Sequence, residues 1–138
     1  MEKMTVADFL EITYQPDLDV LLARWLRPIE LAELQRGYER LLEVAATEPA
    51  CRRWLLDVRR RRNTHQTGAQ WMMSTLLPQL GPRLGGRTRL AYLLAPSYLR
   101  DTAADAAFPP PSYFDGKPFL AERFTEEQAA LQWLVVND

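Results

Sequence analysis

Apolar residues fall in short blocks separated by polar turns, and the spacing inside the blocks changes along the chain. Phe9, Leu10 and Ile12 within residues 7–14, then Val20, Leu21, Leu22 and Trp25 within residues 18–26, read as two extended segments. Gln15-Pro16-Asp17 between them is a turn, so the pair is expected to form a hairpin. After Pro28 the period lengthens. Leu31, Leu34, Tyr38, Leu41, Leu42 and Ala45 recur at three- and four-residue steps, which predicts a helix over 29–47 that Pro49 stops. Its outer face carries Glu33, Arg36, Glu39, Arg40 and Glu43 and reads as a solvated mixture.

Trp54-Leu55-Leu56 makes residues 53–58 apolar enough for a central strand. A second helix is expected over 64–84, with Ala69, Met72, Met73, Leu76, Leu77, Leu80 and Leu84 on its buried stripe, a kink or break at Pro78, and Gly85-Gly86 as its stop. Residues 88–95 and 119–124 give two more strands. Between them, the Ala- and Pro-rich residues 101–118 are expected to wrap the surface, with a short helical turn around 98–107. Thr125 and Gln128 stand at capping-box spacing before a last helix bearing Ala130, Leu131, Trp133 and Leu134. The fold class is therefore α/β: one domain, with a mixed, mostly parallel five-stranded sheet that opens on a β-hairpin and is covered by helices.

Composition narrows the function classes. With 138 residues, 47% of them hydrophobic and 25% charged, the chain is an ordinary single globular domain. Cys51 is the one cysteine, which excludes an intrachain disulfide and points to a reducing, cytoplasmic setting. No stretch approaches the ~18 apolar residues of a membrane span, and the first residues lack the apolar run of a signal peptide. The formal charge of −1 hides a segregation: residues 52–100 hold ten basic side chains and one acidic, whereas both flanking segments are acidic. Mutual neutralisation between neighbouring elements is the plain expectation, with a basic surface patch as its competitor.

The densest part of that basic segment is Arg59, Arg60, Arg61 and Arg62, which follows Asp57-Val58 and precedes Asn63-Thr64-His65-Gln66-Thr67. A strand running into a helix start is where open α/β sheets place their working residues. Guanidinium groups and the N–H groups of a helix start both attract anions there. The competing reading is a solvated loop with some arginines paired to Asp57 or to acidic residues of flanking elements. Trp71 falls beside the apolar stripe of its helix, on the side of Thr67, Ser74 and Pro78; it reads either as a partner-facing residue or as packed under residues 101–118.

The element order resembles the STAS/SpoIIAA-like superfamily, as do Trp25-Leu26, Trp54-Leu55-Leu56-Asp57, Leu90-Ala91-Tyr92-Leu93-Leu94, and Phe124 followed by Ala129-Ala130-Leu131-Gln132-Trp133-Leu134. The resemblance spans residues 7–135 and implies a small non-enzymatic domain that acts through protein contacts. In the antagonist branch of that superfamily an Asp-Ser-Ser/Thr-Gly motif carries a phosphorylated serine. Here the matching aspartate is Asp57, and Val58-Arg59-Arg60 replaces the serines; Thr64 and Thr67 are the nearby hydroxyls, read as helix-start caps.

Other chemistries lack their residues. His65 is the sole histidine, with no cluster to complete a metal site, and no Gly-x-Ser-x-Gly elbow occurs. Gly81-Pro82-Arg83-Leu84-Gly85-Gly86 follows a helix, which is the wrong place for a phosphate loop. A nucleic-acid partner is disfavoured, since Trp71 is the one aromatic placed to stack beside the arginines. Three readings stand in order. The first is a non-enzymatic regulatory or protein-interaction domain, as a homodimer or with a regulatory partner, using Arg59, Arg60, Arg61, Arg62, Thr64, Thr67 and Trp71, with no cofactor, metal or catalytic residue. The second is a binder of an anionic small molecule or lipid through the arginine loop, with Met72, Tyr98 and the proline-rich segment lining an apolar cleft. The third is a small enzyme using Asp57 and His65.

Overall fold

A computed structural model of the chain describes residues 3–47, 50–60, 70–96 and 111–136. Strands β1 (Lys3–Val6), β2 (Leu10–Gln15), β3 (Val20–Trp25), β4 (Arg53–Asp57), β5 (Thr88–Leu93) and β6 (Phe119–Phe124) form one sheet whose spatial order follows the chain. β1, β2 and β3 pair antiparallel, and β3 to β6 run parallel. The described helices are α1 (Leu31–Ala45), α2 (Leu77–Leu84) and α3 (Glu127–Val136). The fold is α/β with a mixed sheet, but of six strands where the apolar blocks predict five.

The extra strand has a physical reason. Only Val6 of β1 is buried, so a four-residue edge strand carries almost no alternation to read. Residues 7–9, expected as strand, are instead the turn of the first hairpin, with Ala7 at φ 49° and the Phe9 N–H donating to the Val6 carbonyl at 3.3 Å. Phe9 is apolar because the turn delivers it into the core, where it is 1% exposed.

Alternation along the strands supplies two cores. On one face Leu21, Ala23, Trp25, Trp54, Leu56 and Leu90 pack with Tyr38 and Leu41 of α1 and Leu77, Leu80 and Leu84 of α2. On the other, Val20, Leu22, Leu55, Ala91 and Leu93 are covered by Ala130 and Leu134 of α3. β4 is thus buried from both sides, which is why Trp54-Leu55-Leu56 is unbroken by polar residues.

α1 starts where Glu33 turns back to accept the Glu30 backbone N–H at 3.0 Å. At Gly37 the helix meets the Trp25 ring so closely that a methyl there would overlap it. That ring begins an aromatic series: Phe9 and Trp25 at 6.2 Å, Trp25 and Tyr38 at 5.2 Å, Tyr38 and Trp71 at 6.3 Å between centroids.

Pro78 neither breaks nor ends the second helical segment. The turn before it widens into a π-helical stretch, Met72–Leu76, where the Leu77 N–H reaches back to the Met72 carbonyl. The wider turn passes the proline without a break, and α2 continues to Gly85, which takes φ 74° and donates to the Gly81 carbonyl at 2.9 Å. Part of the long connection after β5 is a 3-10 turn, Pro111–Phe114, which sets Tyr113 and Phe114 against Phe119. The helical turn expected around 98–107 lies outside the described residues.

Candidate functional site

Asp57 closes β4 and faces the α3 side of the sheet, in register with Arg24 of β3. Its side chain is 5% exposed and its oxygens are fully engaged. Arg24 Nη1 donates to Oδ2 at 2.6 Å; Arg59 donates from Nε to Oδ1 at 2.9 Å and from Nη2 to Oδ2 at 2.8 Å; the Arg59 backbone N–H adds a bond to Oδ1 at 3.2 Å. Arg24 also reaches Glu127, at the start of α3, at 3.1 Å. The four side chains pin β3, β4, the following loop and α3 together. Burial pushes the Asp57 carboxyl upward, but the Arg59 hydrogen bonds with the Arg59 and Arg24 charges outweigh it and hold the group below the ordinary carboxylate range. Pairing with Asp57 raises the Arg59 guanidinium in turn.

This arrangement suits a permanently ionised carboxylate better than a general base, whose pKa should lie near the working pH. It also divides the arginine run. Arg59 is committed to Asp57, as the solvated-loop reading expects of some of these arginines, and Arg60 is exposed. Arg61, Arg62, Thr64, Thr67, His65 and Tyr98 lie outside the described residues. Met72 is 8% exposed and belongs to the main core, where it fills space.

Trp71 is half-buried. It packs against Tyr38 of α1 and ends the aromatic series at the surface. There it borders an open cleft of about 690 Å³ between α1, the π-helical turn with α2, and the end of β1. α1 contributes Arg36, Glu39, Arg40 and Glu43 to the cleft, and the facing segment contributes Thr75, Gln79 and Arg83. Side chains hold that facing segment in shape: Ser74 donates to the Gln70 carbonyl at 2.8 Å and Gln79 to the Thr75 carbonyl at 2.7 Å.

Sequence reasoning finds Trp71 but misses its neighbours, because the polar face of α1 has the ordinary look of a solvated helix. The signal lies in the order of charges. Arg36, Glu39, Arg40 and Glu43 alternate in sign along one face, and the one described ion pair among them, Arg40 to Glu43 at 3.7 Å, is long and exposed. Against known proteins, the chain matches no family model and no curated sequence.

Proposed function

We propose that this protein is a non-enzymatic regulatory domain of the STAS/SpoIIAA-like type that works by protein contact, with a second copy of the chain as the partner seated on α1 and Trp71. The observation that carries this reading is the cleft itself. It is wide and amphipathic, as a protein-facing surface is, and it has a large aromatic anchor at its edge. The alternating face of α1 is self-complementary under a two-fold axis: running it against its own reverse sets Arg36 opposite Glu43 and Glu39 opposite Arg40. The order of strands and helices on which the resemblance rests, and a carboxylate at the end of β4 tied up by arginines, support the same reading. The phosphorylatable serines of the antagonist branch are replaced, so the contact is constitutive.

Trp71→Ala is the direct probe. The variant keeps its far-ultraviolet circular dichroism, because Trp71 is only half-buried, and sediments as a monomer at concentrations where the wild-type chain dimerises. An unchanged sedimentation coefficient across the same concentrations would remove Trp71 from any self-contact.

A further inference from the structure

β1 is an edge strand, and among the described residues no strand pairs with its outer side. Val6 turns its carbonyl inward to accept the Phe9 N–H, so alternation along the strand aims the N–H and C=O of Thr5 outward. Such an edge is a template for another chain unless charged side chains guard it. Lys3 is drawn away from that task by its ion pair with Glu11 of β2 at 3.3 Å. Thr5, Val6 and Ala7 also line the cleft that Arg36, Glu39, Arg40 and Glu43 of α1 border, so the open strand edge and the alternating helix face look into one space.

The two features share a level in the fold. A methyl on Gly37 would meet the Trp25 ring and stand 3.1 Å from Leu10, so this turn of α1 lies over those two residues. The sheet register sets Leu10 opposite Trp25 on one side and Val6 on the other, which brings Gly37 level with Val6. α1 joins two parallel strands and runs back against them, toward the start of β1. The centre of its alternating charges falls between Glu39 and Arg40, about two and a half residues past Gly37, or roughly 3.8 Å at the helical rise. One strand residue spans roughly 3.4 Å, so that centre stands level with Thr5. A single two-fold axis therefore serves both the helix face and the strand edge.

We infer that a second copy of the chain also joins this one along β1, antiparallel and centred on Thr5, so that the sheet continues across the dimer; the inference rests on the two-fold contact of α1. In that register Thr5 and its copy exchange two N–H to C=O bonds, with threonine beside threonine, a favourable cross-strand pair. Met4 comes opposite Val6 of the second copy on the side of the sheet that α1 covers. Met4 is half-buried at the margin of the main core, and the pairing covers the rest of it. Centring the pair on Met4 instead would move the axis one residue along and put the charges of α1 out of step. A four-residue strand pairing does not hold alone, and the helix contact supplies the remainder.

Thr5→Pro tests the pairing in the full chain. The Thr5 N–H points away from β2, so proline leaves the first hairpin intact, and Met4 before it is already extended. Sedimentation equilibrium is expected to show the dimer weakened at least about tenfold, the equivalent of two lost hydrogen bonds, with an unchanged Tm at dilutions where both chains are monomeric. Thr5→Cys gives a second readout that does not depend on how the proline folds. A bismaleimide with a two-carbon spacer should bridge two copies at Thr5→Cys, next to the axis, and fail at Lys3→Cys, where the two sites stand roughly 13 Å apart along the strands. A Thr5→Pro chain that folds and dimerises like wild type, or Thr5→Cys bridged no faster than Lys3→Cys, would overturn the strand pairing. If Arg36→Glu still weakens the dimer in that case, the helix contact stands without it. Wild-type chain that stays monomeric would overturn both.

Discussion

Asp57 accepts hydrogen bonds from Arg24 and Arg59 in a nearly dry position, so Asp57→Asn removes the charge that holds two guanidinium groups at the end of β4. The expected loss is about 2 kcal/mol, less than for a fully buried pair, because Arg24 and Arg59 remain 31% and 43% exposed. A lower urea midpoint at unchanged m-value would register it. The sign of the pH effect follows from the depressed carboxyl: the unfolded chain binds this proton more readily than the folded one. The stabilisation is therefore complete above the unfolded value near ~3.9 and is lost as pH falls through the folded value. Asp57→Asn should flatten the acid limb of the stability curve and leave its slope near neutrality unchanged. Cys51 makes the complementary case of a silent group. Burial pushes its thiol up to about 11, and its sulfur lies 3.5 Å from the Asp19 and Arg53 carbonyl oxygens. A thiol reagent near neutral pH should react with the native chain at least roughly a hundredfold more slowly than with the chain in urea; equal rates would show the thiol to be accessible.

The elements that read clearly were those with a strong period or an unbroken apolar run. α1 shows its three- and four-residue steps, and β4 shows Trp54-Leu55-Leu56 because both its faces are covered. β1 escaped because an edge strand of four residues with one buried side chain leaves no pattern, and Phe9 drew the first predicted strand three residues too early because turns can bury large side chains. At Pro78 the local rule predicts a kink or break, and the irregularity takes the form of a wider turn just before the proline, with no break. Gly37 carries a tertiary requirement that no helical rule contains. Alanine there would gain up to about 1 kcal/mol of helix propensity, yet its methyl would overlap the ring of Trp25, a side chain with 0% exposure. Overpacking should win, and Gly37→Ala is expected to lower stability by about 2 kcal/mol in urea unfolding. A stabilised variant would mean that α1 can move away from the sheet.

At the scale of the whole molecule, charge segregation was visible in the sequence but its distribution in space was not. Among the described arginines of the basic middle segment, Arg59 pairs with Asp57, Arg60 is exposed, Arg83 lines the Trp71 cleft, and Arg52, Arg53, Arg87 and Arg89 gather at the other end of the sheet. That gathering depends on the register of β4 against β5, which a single sequence does not display. The candidate contact residues on α1 depend likewise on which face of the helix the cleft exposes. The central claim is that this face pairs with its own two-fold copy, and reversing its charges tests it most directly. Sedimentation equilibrium of Arg36→Glu should show the dimer weakened at least about tenfold, because the reversed position then faces Glu43 of the other copy. The double change Arg36→Glu with Glu43→Arg should restore it, since every opposed pair is complementary again. Wild-type chain that stays monomeric throughout, or a double variant no better than the single one, would contradict the account.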